Sequence, residues 1–224
     1  MSLGTAQVKD LNNAVSAYSF PTAHFDFATQ TPVLALSMCQ VETRIRQQLL
    51  SPSLTEVRDS LSNILYWGFA QMGGLALIRV ESFRTAVTRQ QLKKASKLFT
   101  NHAHPTLYEI AKLGLPQFSK VSFVSKVRMY LDPVNSATLD RQIMQIHQIH
   151  QIHNDTVLAA VKQDKTSIPT SKGNSNAYEE WCKHLAYMAQ TYLPTARVVD
   201  IERGLFQMIQ AGRLKEAASI LKTA

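Results

Sequence analysis

A chain of 224 residues, 45% of them hydrophobic and with a net charge of +8, is long enough to bury most of its apolar surface in one large domain or two small ones. Its two cysteines, Cys39 and Cys182, stand far apart; this excludes a disulfide framework and a thiolate metal site, and it fits a reducing compartment. No apolar run approaches a membrane span and Met1-Ser2-Leu3-Gly4 lacks the basic and apolar regions of a signal peptide, so a cytoplasmic protein with no membrane partner is expected.

The charge is local. Between Arg79 and Arg128 lie ten basic residues: Arg79, Arg84, Arg89, Lys93, Lys94, Lys97, Lys112, Lys120, Lys126 and Arg128. They face only Glu81 and Glu109, which accounts for the whole excess. A basic middle segment of this kind is what contact with a phosphate backbone needs.

Residues 1–33 read as an irregular, aromatic-rich lead-in that packs on the core, with residues 34–224 forming a single all-α domain. Pro32 opens a helix to Leu50, in which Val33, Leu34, Leu36, Met38, Val41, Ile45 and Leu49 recur at helical spacing. Ser51-Pro52-Ser53 breaks it, and Ser53 with Glu56 has the capping-box pattern for a helix from Leu54 to Gln71. Trp67, near the end of that helix, is either a core residue or the wall of a pocket. A short helix around Ile78–Val87 follows. Thr88 caps the next, Arg89 to Thr100, whose exposed side carries Lys93, Lys94 and Lys97. His102 and His104 lie in a loop without a third metal ligand. Leu107 to Leu113 is helical and stops at Gly114.

The central stretch comes next: a tight turn at 115–119, a short helix, a loop through Asp132-Pro133, and Asp140 at the mouth of a long helix from Leu139 to about Val161. That helix holds the repeat Gln-Ile-His, ending at His153. A period of three drifts around a 3.6-residue helix, so His147, His150 and His153 spread over a broad side. With no Cys, Asp or Glu at good spacing, the run reads as low-complexity helix, and no metal is expected. Residues 162–176 are a polar loop, and helices at 177–192, 195–210 and 214–222 close the chain. No alternating strand of useful length and no Asn-Gly or Asp-Gly hairpin turn appears. The Gly-rich phosphate loops and nucleophile elbows of common enzymes are also missing, and no cofactor is expected.

Leu115-Pro116-Gln117-Phe118-Ser119 resembles the Leu-Pro-Gly-Val-Gly turn of the helix-hairpin-helix DNA glycosylases, particularly the 8-oxoguanine type. Leu139-Asp140-Arg141 after Asp132-Pro133 resembles the family's loop to its catalytic Asp. Tyr178, Trp181 and Leu185, then Val199-Asp200-Ile201-Glu202-Arg203, are similar to the closing helices of bacterial proteins with that fold, and Leu65-Tyr66-Trp67-Gly68 to the helix end before the hairpin. The resemblance is strongest over 113–143 and looser over 60–210.

It implies an all-α DNA-binding protein that excises a damaged base, with DNA as partner. The turn residues Ser119, Lys120, Val121 and Ser122 would meet a phosphate, with Arg84, Arg128 and the three lysines of the 89–100 helix around them. Asp140 would stabilise an oxocarbenium-like sugar while the base is flipped into a pocket. Gln117 and Ser119 stand where the family has glycines. One alignment puts Lys120 at the family's lysine, twenty residues before Asp140; another puts Ser122 there, with Lys126 one helical turn further along. A non-catalytic nucleic-acid-binding or protein-interaction module, or an unrelated helical scaffold, remains the alternative reading.

Overall fold

The computed structural model describes residues 2–102, 104–149 and 156–224. Among them are eleven α-helices, two short 3-10 turns and one two-stranded antiparallel sheet: the chain is all-α apart from that hairpin. It divides into two compact units, Phe20–Asp132 on one side and Met1–Ser19 with Pro133–Ala224 on the other. The second of these units is assembled from both ends of the chain.

The Phe20–Asp132 unit is built on α3 (Leu54–Gly68), which packs against α2 (Met38–Leu49), α4 (Leu75–Ala86), α5 (Arg89–Asn101), α7 (Val121–Leu131) and the first strand. Its position follows from composition. Val57, Leu61, Ile64 and Leu65 are fully buried on one side, and the small Ser60, Ser62 and Asn63 let neighbours close on the other. Ser53 starts α3 by accepting the Glu56 N–H at 3.4 Å. The short α6 (Leu107–Ala111) carries a complete capping box, Thr106 with Glu109.

The hairpin of β1 (Ala23–Asp26) and β2 (Thr31–Leu34) lies in the stretch read as irregular. In its register Phe25 pairs with Pro32. Asn63 of α3 takes both backbone groups of Phe25, its Oδ1 accepting the N–H at 2.6 Å and its Nδ2 donating to the carbonyl at 3.1 Å. The N–H and C=O of one strand residue point the same way, so Phe25 faces α3 there and asks no N–H of Pro32. That tertiary partner is why four-residue strands with a proline hold. It also moves the start of α2 from Pro32 to Met38, after the Ser37 cap.

In the other unit α1 (Thr5–Ser16) packs along α10 (Val198–Gln210). The sequence hides α1 because its buried stripe is narrow, with only Leu11 and Ala14 fully inside. At Gly204 a Cβ would fall 2.7 Å from Val15 Cγ2 and 3.1 Å from Leu11 Cδ1, so the two helices approach where α10 has no side chain. α8 (Arg141–Ile149), α9 (Lys172–Tyr192) and α11 (Leu214–Thr223) complete the unit. The polar loop expected over 162–176 ends early, because Ser171 caps α9 by accepting the Asn174 N–H at 3.1 Å. Of the long helix expected to reach Val161, Arg141–Ile149 is described as helix and Val157–Ala160 as a 3-10 turn. His150 and His153 lie outside the described residues.

Candidate functional site

Between α6 and α7 the chain turns through two left-handed residues. Gly114 has φ +64°, and Gln117 has φ +68°. A non-glycine residue in this region is strained by roughly 1–2 kcal/mol, and its surroundings hold Gln117 there. Leu115 and Phe118 are buried on either side of it, with the Phe118 N–H on the Leu115 carbonyl at 3.1 Å. Its side-chain amide donates to Ser82 Oγ at 3.2 Å and accepts from Arg79 at 3.4 Å, bracing the turn against α4.

The turn delivers Ser119 and Lys120 to the surface, both exposed. Lys120 is the N-cap of α7: its carbonyl accepts the N–H groups of Phe123 and Val124, each at 3.1 Å, and no side chain caps the helix. Val121 is buried and Ser122 half-buried. The positive end of α7 therefore follows directly on an exposed lysine.

The other sequence-assigned groups of this unit divide by burial. Lys93, Lys94 and Lys97 are exposed on α5. Arg84 is half-buried in an ion pair with Asp59 at 2.6 Å, its guanidinium 4.0 Å from the centre of the Phe27 ring. Arg128, assigned to DNA contact, is instead buried: its Nη1 lies 3.2 Å from His104 Nδ1 and 4.0 Å from Asp132 Oδ2, with His104 and Asp132 2.9 Å apart. Lys126 is buried as well. Its amine donates to the Ser122 carbonyl at 3.1 Å and lies 5.4 Å from the centre of the Phe123 ring. The reason for both is that α7 is inside on nearly all sides, every residue from Val124 to Leu131 being buried. Such a helix carries its cations inward, and sequence periodicity could not separate an outer face.

Trp67 is a core residue, its ring 4.7 Å from Phe20 and edge-on to Tyr130 at 5.6 Å. Beside it Gly68 lets α3 meet α7, since a Cβ there would fall 2.6 Å from the Phe123 ring and 3.3 Å from Lys126 Cδ.

Asp140 belongs to the other unit. Its Oδ1 accepts the N–H groups of Gln142 at 2.9 Å and Ile143 at 3.2 Å, which makes it the cap of α8. Two aromatic side chains of α9 hold the segment before it: Tyr178 donates to the Ala137 carbonyl at 2.8 Å and Trp181 to the Thr138 carbonyl at 3.2 Å. Reading these two residues only as part of a closing helix missed that role; the available signal was that a buried Tyr or Trp needs a partner for its polar end.

A group of charges in the same unit acts on Tyr18. Glu202 and Arg203 of α10 are buried, and the Arg203 guanidinium lies 5.2 Å from the centre of the Tyr18 ring. Burial pushes the Tyr18 hydroxyl well above the usual tyrosine range; Arg203 opposes this, and the charges of Glu202 and Asp140 add to it. Neutral Tyr18, in a stretch taken as irregular, was not a sequence candidate.

Among the described residues no group of three or more His, Cys, Asp or Glu side chains is placed to hold a metal ion. Among the described residues no helix is long and apolar enough to cross a membrane either. No family model matches the chain, and neither a curated protein nor a solved structure does.

Proposed function

We propose that the chain is a DNA-binding protein of the helix-hairpin-helix glycosylase kind. It takes a backbone phosphate at the 117–122 turn and uses Asp140 in cleaving the N-glycosidic bond of a flipped, damaged base. One observation carries the reading: Gln117 adopts the left-handed conformation of a turn glycine, and the start of α7, uncapped by any side chain, follows four residues later. Backbone N–H groups at such a helix start suit a phosphate oxygen, and the exposed Ser119 and Lys120 stand beside them. In the reaction the base departs with the electron pair of its bond to C1′. Asp140 stabilises the positive charge left on the sugar, and water or a lysine amine takes the place of the base.

A second reading is favoured by the bonds that Asp140 and Lys126 already make. A carboxylate oxygen accepting two N–H groups serves as a helix cap without any catalysis, and the Lys126 amine is held by Ser122. A module with the same DNA contact and no excision fits these bonds.

Two measurements test the proposal. Duplex affinity should fall steeply between about 50 and 200 mM salt and drop further in the Ser119→Asp variant; a flat salt response or unchanged binding by that variant refutes the phosphate contact. On a panel of lesion-bearing duplexes, Asp140→Asn should bind as before and release no base, because Asn also caps helices well. Excision retained in that variant removes Asp140 from the chemistry; absence of excision by the unaltered chain leaves the binding module.

A further inference from the structure

A cavity of about 360 Å³ opens between the end of α5 and α6, wholly inside the Phe20–Asp132 unit, and none of the turn residues 117–122 lines it. The half-buried Leu98 and Leu113 supply apolar surface, while the exposed Lys94, Lys97 and Lys112 supply charge. Lys94 and Lys97 are one turn apart on α5 and so project to the same side. Among the described residues none of the three lysines makes an ion pair. Among the described residues Glu109 is the one carboxylate in the lining, and it is already engaged: the Thr106 N–H at 2.8 Å and hydroxyl at 2.9 Å hold it in the capping box of α6. Asn101 and His102 complete the lining, so three lysine cations meet one committed anion around a surface whose apolar part is aliphatic.

The character of that surface separates the possible occupants. A nucleic-acid strand is held by phosphate charge together with aromatic faces for its bases. No Phe, Tyr or Trp lines this cavity, and the nearby Tyr108 ring already carries the Lys112 ammonium at 4.6 Å from its centre. An aliphatic surface ringed by lysines complements an aliphatic side chain flanked by carboxylates. We propose that this cavity docks an acidic peptide segment of a partner protein, seating a leucine-sized side chain on Leu98 and Leu113 between carboxylates directed at Lys94, Lys97 and Lys112. Exposed ion pairs contribute little singly, so selectivity comes from the aliphatic contact and the charges acting together. The inference does not rest on the phosphate contact proposed at the 117–122 turn, none of whose residues lines the cavity; it gives Lys94 and Lys97, which the resemblance set near DNA, to a peptide instead.

The test is fluorescence anisotropy with the full chain at physiological ionic strength, where charges beyond about 8 Å are screened. The probe is a fluorescein-labelled peptide with one leucine flanked by glutamates. Binding should weaken by about ten-fold or more on three changes: Leu→Ala in the peptide, Glu→Gln in the peptide, and Lys94→Glu in the protein. Arg89→Glu makes the same charge change on an exposed α5 residue outside the cavity and should leave peptide affinity within about two-fold. Equal binding of the alanine peptide, equal loss in the Arg89 variant, or no peptide binding at all overturns the proposal. So does a Lys94→Glu variant that loses single-stranded DNA and keeps the peptide, which would give the cavity to nucleic acid.

Discussion

Gly204→Ala should destabilise the unit formed by the chain ends, although alanine is the better helix former. In an exposed helix interior the exchange gains about 1 kcal/mol. In α10 the new methyl would fall 2.7 Å from Val15 Cγ2, 3.1 Å from Leu11 Cδ1 and 3.4 Å from the Val15 backbone nitrogen. Ordinary carbon contacts lie near 3.5–4.0 Å, so the first overlap approaches an ångström. Val15 is β-branched and stiff in a helix, Leu11 is fully buried, and the backbone behind them leaves α1 only outward movement. Overpacking of this kind costs roughly 1–3 kcal/mol; set against the propensity gain of about 1 kcal/mol, it leaves a net loss of up to about 2 kcal/mol. Urea unfolding followed by circular dichroism measures it, and a double-mutant cycle isolates the cause. In a Val15→Ala background the nearest atom is gone, so Gly204→Ala should then be neutral or stabilising. If Gly204→Ala stabilises the native sequence, or if its cost is the same in both backgrounds, the close approach of α1 and α10 is wrong.

Gly68→Ala brings a methyl against the Phe123 ring and Lys126 Cδ; it should cost about 1–3 kcal/mol by the same reasoning and shift the amide resonances of α7, read by NMR. Asn63→Ala strips both partners from the buried backbone groups of Phe25 and should cost about 2 kcal/mol or more, with faster hydrogen exchange at the Phe25 amide. Burial holds the His184 imidazole below its usual range, against a bond with Leu221 that raises it. A base depressed in the folded state contributes stability that is complete above about pH 6.5, its unfolded value, and lost as the pH falls below that. The chain should therefore lose stability as the pH falls below about 6.5, and His184→Gln should flatten that part of the profile. Burial raises Asp200, but the side chain and N–H of Arg197 and the charge of Arg203 outweigh it and leave the carboxyl below its usual range. Its contribution is present above about pH 4 and lost in stronger acid, so Asp200→Asn should reduce the acid sensitivity seen below that pH.

Much of the helical order was legible from periodicity and caps. Ser53 and Thr88 each receive the N–H that a cap should, and the order of turn, α7, loop and Asp140 at the start of α8 is the order of the chain. These features are local: a cap or a turn acts within four residues, and the side chains that decide it are adjacent in sequence. The locations of the cations were not legible in the same way. Arg128 and Lys126 lie in a basic stretch and still point inward, because α7 is enclosed by elements distant in sequence, and Lys93, Lys94 and Lys97 stay outside because α5 buries only Leu92, Ala95 and Phe99.

The sequence alone determined an all-α chain, its local concentration of positive charge and the hairpin turn at 115–119. Tertiary structure alone decided three further points. Residues 1–19 join 133–224 in one unit; a proline-bearing hairpin survives on the side chain of Asn63; and Gln117 takes a glycine's conformation. Each depends on partners brought together from distant positions: a narrow apolar stripe, a strand edge and a strained turn residue become stable only when another element supplies the missing contact.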